Sequence, residues 1–321
     1  MRPLAWRLRA AAMSCAVGAA LALPFAAAAA DAGLRSAALL DHGWWIDANV
    51  TYLTASGQDL KLDVYLPVKK SAQPLPVVMY FHGGGWVAGS REGAALSAMP
   101  YMEMGFAFVN VSYRLAKVAP APAALEDTLC ALQWIGRNAK KYNFDLSKVV
   151  TTGDSAGGHL ALATAMVPAD SPLTHQCAAN EPGWSGPYRN AAPKVAAVVN
   201  WYGITDVADM LQGPNIRSYA VAWFGGMRDP DRLALARSVS PLNHVRPGGP
   251  AVLTIHGDAD PLVPYAHGLR LQSALDKAGV NNVLHTVRGG GHGGFTAEQH
   301  VGAYEAVHGF LRGLGIAPVQ P

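Results

Sequence analysis

Gly153-Asp154-Ser155-Ala156-Gly157 sets a serine between two glycines, with the β-branched run Val149–Thr152 before it and a helical pattern, Ala156–Met166, after it. At a sharp strand-to-helix turn, small flanking residues relieve crowding and lift the hydroxyl clear of the strand end. The helix N-terminus then favours negative charge beside it. A serine hydroxyl is a weak nucleophile at neutral pH, so it needs a base and an acid that orients the base. In a strand–turn–helix arrangement of this kind the partners follow in the order serine, acid, histidine. His256-Gly257-Asp258-Ala259-Asp260-Pro261 follows one later strand run, and both Asp258 and Asp260 suit the acid role. Gly289-Gly290-Gly291-His292-Gly293-Gly294-Phe295 follows the next. Of the 11 histidines, His292 is the one that sits in a glycine-rich loop after the acid. His82 and His159 lie inside other motifs, His256 ends a strand run, and His300 and His308 fall in helical patterns.

A third element is His82-Gly83-Gly84-Gly85-Trp86. Attack on a carbonyl puts negative charge on oxygen, and backbone N–H groups aimed there stabilise it; losing one donor typically costs ~3 kcal/mol. Glycines let the backbone come close. Ala156, next to the nucleophile, supplies a further N–H, and Gly84 and Gly85 are preferred to Gly83 and Trp86 as donors from the loop. No Gly-Lys-Ser/Thr follows, which excludes a phosphate loop. His82 is expected to prop the loop. Asp154 either orients the turn or is solvated. Trp86, Trp201, Trp223 and Phe295 either line a pocket or pack into the core, the commoner fate. The Cys and His spacings match no metal site, and the chemistry calls for no cofactor.

These residues need a scaffold that brings loop ends together. Strand runs fall at Val50–Thr54, Leu60–Leu66, Val77–Phe81, Phe106–Val111, Val149–Thr152, Val195–Trp201, Val252–His256 and Val283–Val287. Several are continuous apolar runs, as in strands buried on both faces. Helical patterns lie between them. One starts at Pro122, with Leu125, Leu129, Leu132 and Ile135 on one face; others are Ala156–Met166, Tyr265–Ala278 and Tyr304–Leu311. The alternation predicts an α/β fold with a mainly parallel central sheet and helices on both faces. Pro168–Pro193 reads as a surface excursion. Thr205–Arg246 reads as a short lid-like insertion or a plain decorated connection.

Composition agrees. With 321 residues, 50% hydrophobic and 15% charged, the chain has too little charge for a coiled coil and too much apolar matter for disorder. Its 34 Gly and 22 Pro follow no collagen period. The length suits one catalytic domain over residues 31–321. Residues 1–30 carry Arg2, Arg7 and Arg9, then an apolar run, then an alanine tract, the pattern of a cleaved signal peptide; the destination is periplasmic or secreted. Removing them lowers the net charge from +3 to 0 and leaves no basic cluster for nucleic acid. Export would place Cys130 and Cys177 in an oxidising compartment, where a bridge and two free thiols are both open.

His82-Gly83-Gly84-Gly85-Trp86, Val111-Ser112-Tyr113-Arg114-Leu115, Gly153–Gly158, His256–Pro264 and Gly289–Phe295 occur in the order found in α/β-hydrolase esterases. From about residue 45 to 314 the chain resembles the hormone-sensitive-lipase-like group. It is more similar to the bacterial acetyl-esterase and feruloyl-esterase-like branch. The resemblance implies an α/β-hydrolase fold and a carboxylesterase with Ser155, Asp260 and His292 as triad. It also implies Gly84, Gly85 and Ala156 as oxyanion donors and a small-molecule ester as substrate. Two departures favour the second branch: position 159 is His where Asn is usual, and the segment before Ala123–Asp127 lacks the usual aromatic or His. Alternatives are an arylformamidase of kynurenine type and a non-catalytic binding protein on the same fold.

Overall fold

The computed structural model describes residues 43–69, 71–174, 176–177 and 192–317. The expected signal peptide and most of the 168–193 excursion lie outside these residues. Each strand run becomes a strand of one eight-stranded sheet: β1 (Trp44–Ala55), β2 (Gln58–Pro67), β3 (Leu75–Phe81), β4 (Ala107–Val111), β5 (Phe144–Asp154), β6 (Val195–Trp201), β7 (Ala251–Gly257) and β8 (Asn282–Val287). Their order is β1-β2-β4-β3-β5-β6-β7-β8. β2 runs antiparallel to β4, and every pairing from β4 through β8 is parallel. In this order the ends of β3, β5, β7 and β8, which carry the four motif loops, open on one edge of the sheet, with only β6 interposed.

Helices cover both faces: α1 (Met99–Glu103), α2 (Ala123–Tyr142), α3 (Ala156–Met166), α4 (Ser218–Trp223), α5 (Asp229–Val239), α6 (Ala266–Lys277) and α7 (Ala297–Gly313). Burial on two sides explains the continuous apolar runs: Val77, Val78, Met79 and Phe81 of β3 are all fully buried. The predicted face of α2 is buried at Leu125, Leu129, Leu132 and Ile135, and the helix ends at Asn143 in the left-handed region (φ 57°). α7 is twice as long as its apolar pattern. No residue from Ala297 to Gly302 is buried, so periodicity misses this stretch, but a capping box between Thr296 and Gln299 starts the helix there.

Two further ties hold the layer of α2. Cys130 on α2 is disulfide-bonded to Cys177. Arg114, which leaves β4, grips the buried Asp127 of α2 through its backbone N–H (2.8 Å), Nε (2.9 Å) and Nη2 (2.7 Å). The fork-like pairing satisfies a carboxylate that has no access to water.

Candidate active site

Ser155 stands at the end of β5, one residue before α3, with φ 54° and ψ −117°. This is a conformation that side-chain-bearing residues rarely hold, and the surroundings enforce it. The Ser155 N–H donates to Trp201 O at 2.9 Å, and Ser155 O accepts from His159 N–H at 3.0 Å. Two glycines make the turn possible by close approach. A Cβ on Gly157 would lie 1.9 Å from Phe81 O, and one on Gly153 would lie 2.4 Å from the same oxygen. Because Phe81 O belongs to the β3 backbone, it cannot swing away. Gly157→Ala is therefore expected to destabilise the fold by at least about 3 kcal/mol, read as a lower urea midpoint. An unchanged midpoint would contradict that packing.

The other two expected partners converge on Ser155. His292 Nε2 lies 2.8 Å from Ser155 Oγ, and His292 Nδ1 lies 2.7 Å from Asp260 Oδ2. An ionised carboxylate only accepts, so Nδ1 carries the proton and bare Nε2 accepts from the serine hydroxyl. Asp260 Oδ1 accepts from the N–H groups of Leu262 (2.8 Å) and Val263 (2.9 Å). Burial pushes the Asp260 carboxyl upward, but hydrogen bonds from His256, His292 and Val263 outweigh it and hold the group well below the usual carboxylate range. Asp258, the alternative acid, turns elsewhere. It accepts from Gly289 N–H at 2.6 Å and faces Arg288 Nη1 at 3.4 Å, bracing the turn that leads to His292.

Gly84, Gly85, Ser155 and His292 share one space of about 310 Å³ with Tyr202, Tyr219 and Leu262. Gly84 (φ 112°) and Gly85 (φ 60°) hold conformations suited to glycine, and a Cβ on Gly85 would meet Tyr219 at 2.8 Å. Among the described residues neither glycine N–H has an acceptor, so both remain available to an incoming oxygen. His82 props this loop as expected: its Nδ1 donates to Gly83 O at 2.8 Å and its ring stacks on Tyr113. Asp154 orients the loop as well, accepting at Oδ1 from Gly83 N–H (3.1 Å) and Tyr80 O–H (2.5 Å).

Trp86 and Trp223 are fully buried and stack on one another at 4.2 Å, so they are core and not pocket lining. That stack joins the 205–246 segment to the His82–Trp86 loop, and Tyr219 of the same segment lines the space around Ser155. Trp201, in contrast, lines a neighbouring cleft of about 500 Å³, and Phe295 packs edge-on to Tyr202. Tyr202 and Tyr219 border the space around Ser155, and His256 Nε2 lies 3.3 Å from Asp260 Oδ2. No local motif marks the two tyrosines, and His256 is recognisable only as the first residue of His256–Asp260.

His159, the departure noted above, is buried beneath the same stack. Trp86 Nε1–H donates to its Nδ1 at 3.2 Å, and its Nε2–H donates to Val239 O at 2.9 Å. Burial pushes the imidazole down from its ordinary 6.5 to about 4. His267 is pushed down for the same reason, with Arg270 adding to the shift. Between pH 6.5 and about 4 the unfolded chain therefore binds protons that the folded chain refuses, and stability rises with pH across that window. Each histidine is expected to contribute a loss of up to ~1.4 kcal/mol per pH unit on acidification. Urea titrations at pH 7 and pH 5 check this, and His159→Gln should flatten the slope.

Among the described residues no group of His, Cys, Asp and Glu is arranged to hold a metal ion, and no helix is long and apolar enough to cross a membrane.

Known proteins resemble this chain over most of its length. Carboxylesterase NlhH of Mycobacterium tuberculosis is 30% identical over 210 residues, covering 64% of this chain and 62% of its own. Esterase LipQ of the same organism is 26% identical over 265 residues, covering 79% of this chain and 59% of its own. The chain thus spans about three fifths of the length of these curated relatives. A solved structure, the truncated form of a carbohydrate esterase from gut microbiota, superposes with a TM-score of 0.69 at 29% identity, covering 85% of this chain and 97% of that one. An esterase from Thermogutta terrifontis shares the fold at a TM-score of 0.70 and 24% identity, over 85% of this chain and 94% of its own. The TAP-like protein family matches residues 234–317 and BD-FAE matches residues 62–275, two thirds of the sequence. On these matches and the sheet described above, the chain has an α/β-hydrolase fold and belongs to the BD-FAE family.

Proposed function

We propose that this protein is an exported serine carboxylesterase acting on short-acyl or aryl, feruloyl-type esters through an acyl-enzyme. The observation that carries the reading is the continuous chain Ser155 Oγ, His292 Nε2, His292 Nδ1, Asp260 Oδ2, with links of 2.8 and 2.7 Å. Ser155 Oγ attacks the ester carbonyl carbon while His292 Nε2 takes its proton. Asp260 holds the imidazole tautomer and stabilises the imidazolium. The carbonyl oxygen, now negative, is held by the N–H groups of Gly84, Gly85 and Ala156. His292 returns the proton to the departing alcohol. Water then attacks the acyl-enzyme with His292 again as base, freeing the acid and Ser155.

The experiment is a panel of acetyl, butyryl, octanoyl and feruloyl esters with N-formylkynurenine, run beside labelling by a serine-directed phosphonate. Ester turnover with phosphonate on Ser155 is expected. Dominant formamide hydrolysis would replace the reading with an arylformamidase, and no turnover with no labelling would replace it with a binding protein. The Cys130–Cys177 bridge supports the export reading, because such bonds persist in oxidising compartments. Cell fractionation with mass analysis of the mature N-terminus tests it; a cytoplasmic protein that retains Met1 would refute it.

A further inference from the structure

The cleft beside Ser155 has a feature that ester hydrolysis alone does not require. It holds about 500 Å³ and shares Gly84, Asp154 and Tyr202 with the smaller space around Ser155 and His292. A substrate whose carbonyl reaches Ser155 and whose remainder extends into the cleft must therefore pass Asp154. The walls are aromatic, from Tyr80, Tyr101, Trp201, Tyr202 and Tyr304, and among the described residues neither Lys nor Arg lines them. Asp154 Oδ1 is occupied by the Gly83 N–H and the Tyr80 O–H. Asp154 Oδ2 accepts from no group among the described residues, and the side chain is only partly buried. His82, which burial pushes toward its neutral form, and His300 also line the cleft, so among the described residues it has a carboxylate on its wall and no permanent cation.

We infer that Asp154 is a charge filter for substrate. The cleft takes ester groups that are neutral or cationic and rejects those bearing a carboxylate. This rests on the reading of Ser155 as the nucleophile of an ester hydrolase. Low-dielectric walls concentrate the field of a fixed charge and leave few counter-ions to screen it. The tyrosine hydroxyls register that field: burial first, and then the Asp154 charge, push Tyr80 and Tyr202 upward, and burial, Tyr101 and then Asp154 do the same to Tyr304, so all three stay neutral at working pH. Neutral hydroxyls do not offset a carboxylate as a guanidinium would. An ammonium group gains twice, from Asp154 Oδ2 and from the faces of the surrounding rings. A carboxylate meets repulsion and loses its hydration.

The test uses two matched series on the full-length protein. One comprises methyl cinnamates bearing a para hydroxymethyl, aminomethyl or carboxylate group. The other comprises phenyl acetates with the same substituents, so that the substituent enters from the acyl side in one and the alcohol side in the other. In at least one series kcat/KM is expected to rank cationic over neutral over anionic, with about 10-fold or more between neutral and anionic. Salt at about 0.5 M should narrow that ratio. Asp154→Asn keeps an oxygen for Gly83 N–H and Tyr80 O–H while removing the charge, and it should bring the neutral-to-anionic ratio to within about 3-fold. The ratio is taken within each protein, so a general loss of activity in the variant cancels. A wild-type ratio near one in both series, or a ratio unchanged by Asp154→Asn, overturns the filter while the esterase reading stands. If none of the esters is hydrolysed, both fall.

Discussion

Ser155→Ala is expected to lower kcat by about 10⁴-fold or more while leaving the urea midpoint near that of the wild type. The substitution removes one oxygen whose partner is His292 Nε2, at 2.8 Å. The turn itself is held by other bonds, from Ser155 N–H to Trp201 O and from His159 N–H to Ser155 O, and alanine makes both. The φ of 54° strains alanine no more than serine. What remains is the loop of Gly84 and Gly85, which can still polarise a carbonyl, so some activity above the uncatalysed rate should survive. Single-turnover and steady-state kinetics on an aryl acetate measure the loss. Near-wild-type turnover would end the assignment of Ser155 as nucleophile.

Asp260→Asn should cost nearly as much, about 10⁴-fold in kcat by analogy with the well-known Ser-His-Asp case, with KM little changed. The reason lies in the other oxygen of the group. Asp260 Oδ1 accepts from two backbone N–H groups, Leu262 at 2.8 Å and Val263 at 2.9 Å. An asparagine must leave its carbonyl oxygen in that position, which turns its NH₂ toward His292. Nδ1 then has to accept instead of donate, and the proton moves to Nε2, where it blocks removal of the serine proton. The same NH₂ also opposes His256 Nε2, which lies 3.3 Å from Asp260 Oδ2. Asp258→Asn is the internal comparison. Asp258 braces the Arg288–Gly289 turn and does not touch His292, so a loss of only a few-fold is expected. Equal losses for the two variants would dissolve the distinction between the two acids.

Much of the site was legible because its chemistry constrains sequence locally. A serine on a strained elbow needs glycines at fixed offsets, a donor loop needs consecutive glycines, and the catalytic order follows the order of strands. The elements were legible for a similar reason. Val77–Phe81 and Ala156–Met166 carry apolar patterns long enough to name their type, and both ends of the second agree with the structure. α7 was legible only in part, because the capping box that starts it lies outside its apolar stretch. The role of Trp86 was open from its position in His82–Trp86. Only the contact with Trp223, 137 residues later in the chain, decides that it is core.

By itself, the sequence determined which groups exist to do chemistry and the order in which strands deliver them, since covalent neighbours impose that spacing. Local spacing left both Asp258 and Asp260 suited to the acid role, with only the family resemblance favouring Asp260, and the bridge between Cys130 and Cys177 stayed open. Tertiary structure decided both. Side-chain direction after β7 sends Asp260 to His292 and Asp258 to the Gly289 turn, and packing of α2 brings the two cysteines into one disulfide. The setting of Asp154 belongs to the same class. One residue before Ser155 it reads as part of a motif, but its unpaired oxygen beside an aromatic cleft comes from five rings contributed by β3, α1, β6 and its exit, and α7. Contacts between residues distant in sequence depend on how the sheet stacks its loops, and no local pattern encodes that.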